Sequence, residues 1–412
     1  MVKIVASLRN FRDRIRTSIS VKARNFLFFF AIIMLLILAI AIRCSPIIRD
    51  VYLIKAFDPW IQWYNAEYLN AHTLYEYFNW VDYKSWYPSG IFRGGLRPGL
   101  TFTVVVIYKI LNFLGFQITL YEVCFFFPAF MGGITVIVMY FLGKEVLNRS
   151  TGLFAAFFLA FNPGYLQRTT AGFFDNETIG VFATLMTFLF FLKAIRTGRF
   201  SHAVIGGMFL GYLSLSWGGY QFVYLVIPII CIILILTNKY TENILVSYAG
   251  VQGTGLLVFS LFSKFRYDSL FSSLDVGGIF LFTVILIIFH IIHTKKTAHE
   301  KVYISIIKIV KWVIIPGALI FAIIMWVAPE ILPFGFGARF WSILNPLFRE
   351  NVSIVASVAE QMPSAWGIFY YNTLIPLILV PLGIYFCFKR LNAADIFVIA
   401  FVLLMYYFTG SM

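Results

Sequence analysis

In a chain of 412 residues with only 18 Asp and Glu, three short acidic motifs stand at the ends of long apolar runs. They are FDPW at 57–60 with Asp58, DNE at 175–177 with Asp175 and Glu177, and SVAE at 357–360 with Glu360. Carboxylates are costly to keep beside hydrocarbon, so several that can be brought to one membrane face read first as a functional site. In GFFDNETIG the DxE pair Asp175 and Glu177 can, in a non-helical turn, reach one divalent cation or one substrate amide. The same residues could instead simply open a helix, with Asp175 as N-cap and Glu177 in the first turn. On a continuous helix, Arg168 in YLQRTTAGFFD would lie two turns before Asp175 on the same face. There it would either snorkel or meet a phosphate or carboxylate. Asp58 precedes Pro59, which favours an extended or turn conformation before the amphipathic stretch IQWYNAEYL, and taken singly it reads as a cap. Glu360 sits in SVAEQMPSAW with no charge close by, where a solvated glutamate is the plain alternative.

The elements that must position these acids are apolar helices. With 61% hydrophobic and 12% charged residues, the chain lies outside the range of soluble domains, and its apolar runs match a bilayer core. The fold class expected is therefore an all-α polytopic membrane protein. Cys44, Cys124, Cys231 and Cys387 form no CxxC spacing, which counts against zinc, redox chemistry and a disulfide framework. A net charge of +14 could point to nucleic acid, but its distribution follows membrane topology instead, and no nucleic-acid partner is expected.

Residues 1–24 form a basic cytoplasmic N-terminus, followed by a retained first helix from Phe26 to Ala41. Further apolar runs lie at about 98–116, 121–142, 151–165, 178–194, 202–217, 220–237, 243–262, 276–293, 306–328, 369–387 and 393–409. If every run crossed, the basic loops KAIRTGR, HTKKTAHEK and FKR would fall outside. Removing 98–116, which opens on Arg97 and Pro98 and contains Lys109, restores the positive-inside pattern and leaves about eleven spans. With that parity Asp58, Asp175, Glu177 and Glu360 share the outer face. The transmembrane domain then covers 25–412. It carries a first outer loop over 43–97, rich in Trp and Tyr and followed by the embedded helix 98–116, and a late outer loop over 329–367, rich in Pro, Gly and Ser. No repeat and no soluble domain is visible.

Together the three motifs are more specific than any one of them, and the chain resembles the catalytic subunit of oligosaccharyltransferase: STT3 in eukaryotes, AglB in archaea, PglB in bacteria. The resemblance rests on FDPW, DNE and SVAE, and on NWVDYKSWYPSG at 79–90, PGYLQRTTAGFFDNE at 163–177 and SWGGYQF at 216–222. It runs from about Ala56 to the last residue and looks most like archaeal AglB. The resemblance implies a GT-C type glycosyltransferase membrane domain in an archaeal cell membrane, or in an endoplasmic reticulum membrane if eukaryotic, with its active site on the extracytoplasmic face. It implies metal-dependent, inverting transfer of an oligosaccharide from a dolichyl phosphate or pyrophosphate donor to Asn of an Asn-x-Ser/Thr acceptor polypeptide. Carried over by position, Asp58, Asp175 and Glu177 would hold Mn²⁺ or Mg²⁺. Asp58 and Glu360 would be the catalytic pair at the acceptor amide, and Arg168 would support the cluster or the donor phosphates.

Two features of the family pattern are missing from these residues. One is an arginine for the donor phosphates beyond YFTGSM; the other is the soluble domain whose Trp-Trp-Asp motif reads the acceptor sequon. The expectation is thus the N-terminal membrane part of such an enzyme, with no sequon reader and not active alone. The alternatives are another lipid-phosphate-sugar glycosyltransferase, such as a protein O-mannosyltransferase, or a transporter. Of the chain's own sequons at Asn148, Asn176 and Asn351, the expected topology leaves only Asn351 open to a glycan.

Overall fold

The computed structural model describes residues 20–49, 52–261, 274–294 and 365–409, with isolated positions between 304 and 323. Glu360, Asn351, most of the basic N-terminus, nearly all of the late outer loop and most of the 306–328 run lie outside the described residues. The described secondary structure is helical apart from one two-stranded ribbon. In chain order it runs α1 (Val21–Arg43), a single helical turn (Ser45–Ile48), α2 (Phe57–Ala71), α3 (Leu74–Phe78), β1 (Val81–Asp82), β2 (Ile91–Phe92), α4 (Gly99–Phe113), α5 (Leu120–Val146), α6 (Arg149–Phe161) and α7 (Pro163–Gln167). It continues with α8 (Glu177–Thr197), α9 (Phe200–Ser216), α10 (Tyr220–Leu236), α11 (Glu242–Ser260), α12 (Leu274–Thr294), α13 (Trp366–Thr373), α14 (Ile375–Arg390) and α15 (Ala393–Thr409).

Each apolar run that falls on described residues is a helix, as its composition dictates. Among the described residues, α1, α5, α8 and the 277–294 part of α12 are long and apolar enough to cross a membrane alone. The pair α13 and α14, bent by 76°, makes a fifth candidate; α4, α6, α9, α10 and α15 are shorter apolar helices. The 23 residues of α1 extend about 35 Å, enough for a hydrocarbon core of roughly 30 Å. Its outer face is bare Phe26, Leu27, Phe29, Phe30, Ile37 and Leu38, as a lipid-facing helix requires.

The chain divides into two units, residues 1–67 with 104–178 and residues 68–103 with 179–412. In the first, α1, α5 and α6 meet around Leu35, Ala39, Val136, Tyr140, Ala156 and Ala160. Lipid supplies no hydrophobic drive between helices, so close backbone approach through small residues does the packing. A Cβ on Gly143 would sit 2.9 Å from Gly152 Cα. Caps fix the helix starts. Thr119 and Glu122 form a capping box on α5, and Asn148 accepts the Thr151 N–H to open α6. Glu122, an acid inside an apolar run, is thereby explained.

The end of α1, the start of α5 and the segment after α7 lie together. The Ala171 N–H donates to the Arg43 carbonyl at 2.8 Å, the Gly172 N–H to the Phe125 carbonyl at 2.9 Å, and the Ile54 N–H to the Tyr121 hydroxyl at 2.9 Å. The chain that leaves α1 at Arg43 therefore comes back to the same end at α5.

In the second unit, α9 packs on α11 through glycines: a Cβ on Gly207 would lie 2.5 Å from Thr254, and one on Gly211 2.4 Å from Val258. Arg390 at the end of α14 pairs with the fully buried Asp395 at the start of α15. The ribbon pairs Val81 with Phe92 and Asp82 with Ile91, antiparallel. Next to it the Tyr68 and Trp80 rings stack at 3.8 Å, so NWVDYKSWYPSG forms a small structured module.

Candidate active site

The first unit gathers Asp58, Arg168, Asp175 and Glu177 around one irregular segment, residues 168–176, between α7 and α8. The helix is not continuous from Arg168 to Asp175, so the expected two-turn spacing on one face is corrected. Helix α7 stops at Gln167, and Gly172 takes φ +87°, a conformation that breaks a helix and suits glycine. What the break achieves is a different pairing: Arg168 Nη1 lies 3.7 Å from Glu177 Oε1, and the guanidinium sits 5.3 Å above the Phe173 ring. Both partners are about one-third exposed, which makes this a soft, screened ion pair.

Asp175 is buried. Its carboxylate accepts the Asn176 N–H at 2.7 Å and its backbone carbonyl the Thr178 N–H at 3.2 Å, so in place of the expected side-chain cap Asp175 forms a turn two residues before α8. Burial, then the Glu177 carboxylate and, beyond the Asn176 bond, the Asp58 carboxylate push the Asp175 carboxyl up to about 7. Of the three neighbouring carboxylates only Asp175 is buried. Glu177 Oε2 and Asn176 Oδ1 are buried with no hydrogen-bond partner among the described residues.

Asp58 arrives from a different stretch of chain. The sequence places a turn or extended backbone at Asp58; instead the sharp turn falls at Ala56, φ +68°, and Asp58 lies in the first turn of α2. Pro59 is tolerated there because the first helical N–H groups have no partner to lose. The stretch is tied to the Asp175 segment by the Lys55 N–H, which donates to the Gly172 carbonyl at 2.8 Å. A Cβ on Gly172 would meet the Leu53 carbonyl oxygen at 2.5 Å, so only glycine lets the two strands of chain approach so closely.

Among the described residues no three His, Cys, Asp or Glu side chains stand tightly enough to hold a cation as they are. Their chemistry nonetheless fits a hard divalent ion: an all-oxygen set, mutually repelling, with one buried carboxylate oxygen lacking a donor. Asp58, Asp175 and Glu177 are the residues that could hold it, as the sequence reading expects. Glu360 cannot be placed with them because it lies outside the described residues.

Sequence reasoning passed over Arg43 and Thr169. Arg43 Nε donates to Thr169 Oγ1 at 2.9 Å, and Arg43 is fully buried. The one available signal was an arginine in the last turn of an apolar run. In the second unit, SWGGYQF ends α9 and starts α10: Trp217 packs on Gly180, where a Cβ would lie 2.6 Å from the indole, and Arg97 stacks 4.7 Å from the Tyr220 ring while donating to the Ser214 carbonyl.

The family described as Oligosaccharyl transferase STT3, N-terminal, matches residues 26–412. The chain is 34% identical over 380 residues to the dolichyl-diphosphooligosaccharide–protein glycosyltransferase subunit STT3B of Arabidopsis thaliana, covering 91% of this chain and 51% of that protein. Against the STT3 subunit of Saccharomyces cerevisiae it is 32% identical over 383 residues, 91% of this chain and 52% of that protein. It superposes with TM-score 0.68 and 17% identity on the oligosaccharyltransferase AglB of Archaeoglobus fulgidus in complex with an inhibitory peptide and a dolichol-phosphate, over 93% of this chain and 47% of that one. A structure of the A. fulgidus enzyme with Zn and sulfate superposes at 0.62 with 18% identity, over 90% and 45%. One tethered to an acceptor peptide containing the NVT sequon gives 0.64 with 19% identity, over 93% and 46%. The structural likeness shows a shared fold, and the chain spans about half the length of the curated relatives it matches. By the reach of the family match and its identity with these relatives, the chain belongs to the STT3 family of oligosaccharyltransferases.

Proposed function

We propose that the chain is the membrane-embedded catalytic part of an oligosaccharyltransferase that moves an oligosaccharide from a dolichyl phosphate or pyrophosphate donor to Asn of an Asn-x-Ser/Thr acceptor. The observation that carries this reading is the convergence of Asp58, Arg168, Asp175 and Glu177 on one broken segment at the end of α1 and start of α5. Relatives support it: curated STT3 subunits bear the transferase name, and the A. fulgidus structures hold a dolichol-phosphate or a sequon peptide. The return of the chain to one end between α1 and α5 implies an even number of crossings there. That supports placing α4 within the first outer loop, a count near eleven spans, and the site on the extracytoplasmic face.

In this reading Asp58, Asp175 and Glu177 hold a divalent cation, Mn²⁺ or Mg²⁺, which the Zn and sulfate complex of the neighbour supports only as far as a divalent ion. When bound, the ion acts as a Lewis acid on the departing phosphate. The acceptor amide is a poor nucleophile because its nitrogen lone pair is shared with the carbonyl, the same conjugation that gives the peptide bond a barrier of roughly 18–20 kcal/mol. Asp58 and Glu360 accept the two amide N–H bonds, hold the group against the sugar and take up its proton. As the new N–C1 bond forms, the C1–O bond breaks and its electron pair leaves with the phosphate, so a single displacement inverts the sugar carbon. Arg168, which pairs with Glu177, balances negative charge at the donor. The acceptor sequon would be read by the part of the relatives' length that this chain does not span.

The test is transfer from lipid-linked oligosaccharide to a fluorescent Asn-x-Thr peptide by the full-length protein, with EDTA and then Mn²⁺ or Mg²⁺ added. Transfer that stops with EDTA, returns with the cation and is lost in Glu177→Gln supports the reading. A mannosyl-phosphate donor used on Ser or Thr acceptors in its place would overturn it.

A further inference from the structure

Arg43 closes α1 with its side chain fully buried, and among the described residues no carboxylate pairs with it. A buried guanidinium without a counter-ion costs several kcal/mol, so its bonds must do something an apolar residue could not. Nε donates to Thr169 Oγ1 at 2.9 Å, and Nη1 donates to the Ala39 carbonyl at 2.9 Å and the Ala160 carbonyl at 3.1 Å. The Tyr165 ring stands 5.2 Å from the guanidinium carbon. Helix α5 makes room with Gly132, where a Cβ would lie 2.4 Å from Arg43 Nε. Thr169 passes the bond on, its hydroxyl donating to the Tyr165 carbonyl at 2.6 Å. The Arg43 backbone carbonyl takes the Ala171 N–H at 2.8 Å. One residue of the first helix thus grips both flanks of Thr170. Arg168 precedes this grip, and Gly172, which ties in the Asp58 stretch, follows it.

We propose that Arg43, acting through Thr169, is a positioning residue that holds the 168–177 segment in the shape required to bind the cation; this rests on the oligosaccharyltransferase reading above. The planar fork, with Nε and Nη1 bonded in different directions, is what matters; a lysine keeps the charge but not the geometry. Groups bonded directly to metal ligands set affinity by 10- to 100-fold when removed; Arg43 acts one step further out, through Thr169 and Ala171, and the lower end of that range is expected.

The experiment measures Mn²⁺ binding by electron paramagnetic resonance in the full-length protein, with peptide-transfer kinetics alongside. Arg43→Met and Arg43→Lys are expected to weaken Mn²⁺ binding by roughly tenfold or more, with transfer recovering at high Mn²⁺ and acceptor KM unchanged. Thr169→Val, which keeps the shape and removes the hydroxyl, is expected to weaken Mn²⁺ binding less than Arg43→Met and keeps the test alive if Arg43→Met fails to fold. Wild-type Mn²⁺ affinity in both Arg43→Lys and Thr169→Val would overturn the role of Arg43 while leaving the function intact. A wild-type protein that binds no Mn²⁺ would overturn the metal reading itself, and this inference with it.

Discussion

Two buried carboxylates, one in each unit, sit in opposite environments. Asp82, in the β1–β2 ribbon and 2% exposed, accepts Arg93 Nε at 2.7 Å, the Ser85 hydroxyl at 2.7 Å and the Lys84 N–H at 3.0 Å. Burial alone would raise its carboxyl, but the bonds from Arg93, Ser85 and Lys84 outweigh it and hold the group below the ordinary aspartate range. Asp175, 5% exposed, has the Asn176 N–H and two carboxylate neighbours, and is pushed the other way. Both acids are nearly hidden from solvent, but Asp82 is matched by donors while Asp175 lies deeper and beside other carboxylates. Sequence position separates them in part: Asp175 stands at the edge of an apolar run, whereas Asp82 lies within the long aromatic loop 43–97.

That contrast can be broken by substitution. Asp82→Ala should cost the most, about 3–5 kcal/mol, because it removes the carboxylate partner of a buried Arg93; loss of protease resistance in residues 68–103 of the folded protein would register it. Next, Gly172→Ala should cost about 3 kcal/mol, combining a left-handed φ of +87° with a clash against the Leu53 carbonyl, and should pull the Asp58 stretch away from Asp175. Thermal unfolding in detergent and the transfer assay should both fall. Asp175→Asn should reverse the pattern of Asp82→Ala: stability within about 1 kcal/mol of the parent, transfer down about a hundredfold. Unchanged transfer would return Asp175 to a helix-opening role.

The smallest expected effect sharpens the comparison through pH. A carboxyl whose folded value is depressed contributes stability that is fully present above its unfolded value, near 3.9, and lost as pH falls through the lower folded value. Protease resistance of the ribbon should therefore be flat at neutral pH and decline only under acid, and Asp82→Asn should remove that decline. A decline beginning near neutral pH would contradict the assignment of Asp82 as a satisfied acid.

Much of the helical framework was legible because apolar runs of bilayer length have few alternatives, and α5, α8 and α12 fall where composition places them. The DNE pair was legible because acids beside such runs are rare. The connections that make a site were not. Arg43 and Thr169 lie 126 residues apart, and nothing local to either announces the bond. The turn expected at Asp58 moved to Ala56, because a proline in a first helical turn carries no hydrogen-bond penalty and leaves the choice to tertiary contacts. Glu122 had a readable signal, the Thr-x-x-Glu spacing of a capping box, which its place inside an apolar run obscured.

In the proposed function Asp58, Asp175 and Glu177 of the first unit hold a divalent cation. Titration calorimetry of the full-length protein with Mn²⁺ at neutral pH, for the parent and Asp175→Asn, tests it most directly. One saturable site is expected in the parent and at least tenfold weaker binding in the variant. Equal binding by the two proteins, or none by the parent, would contradict it.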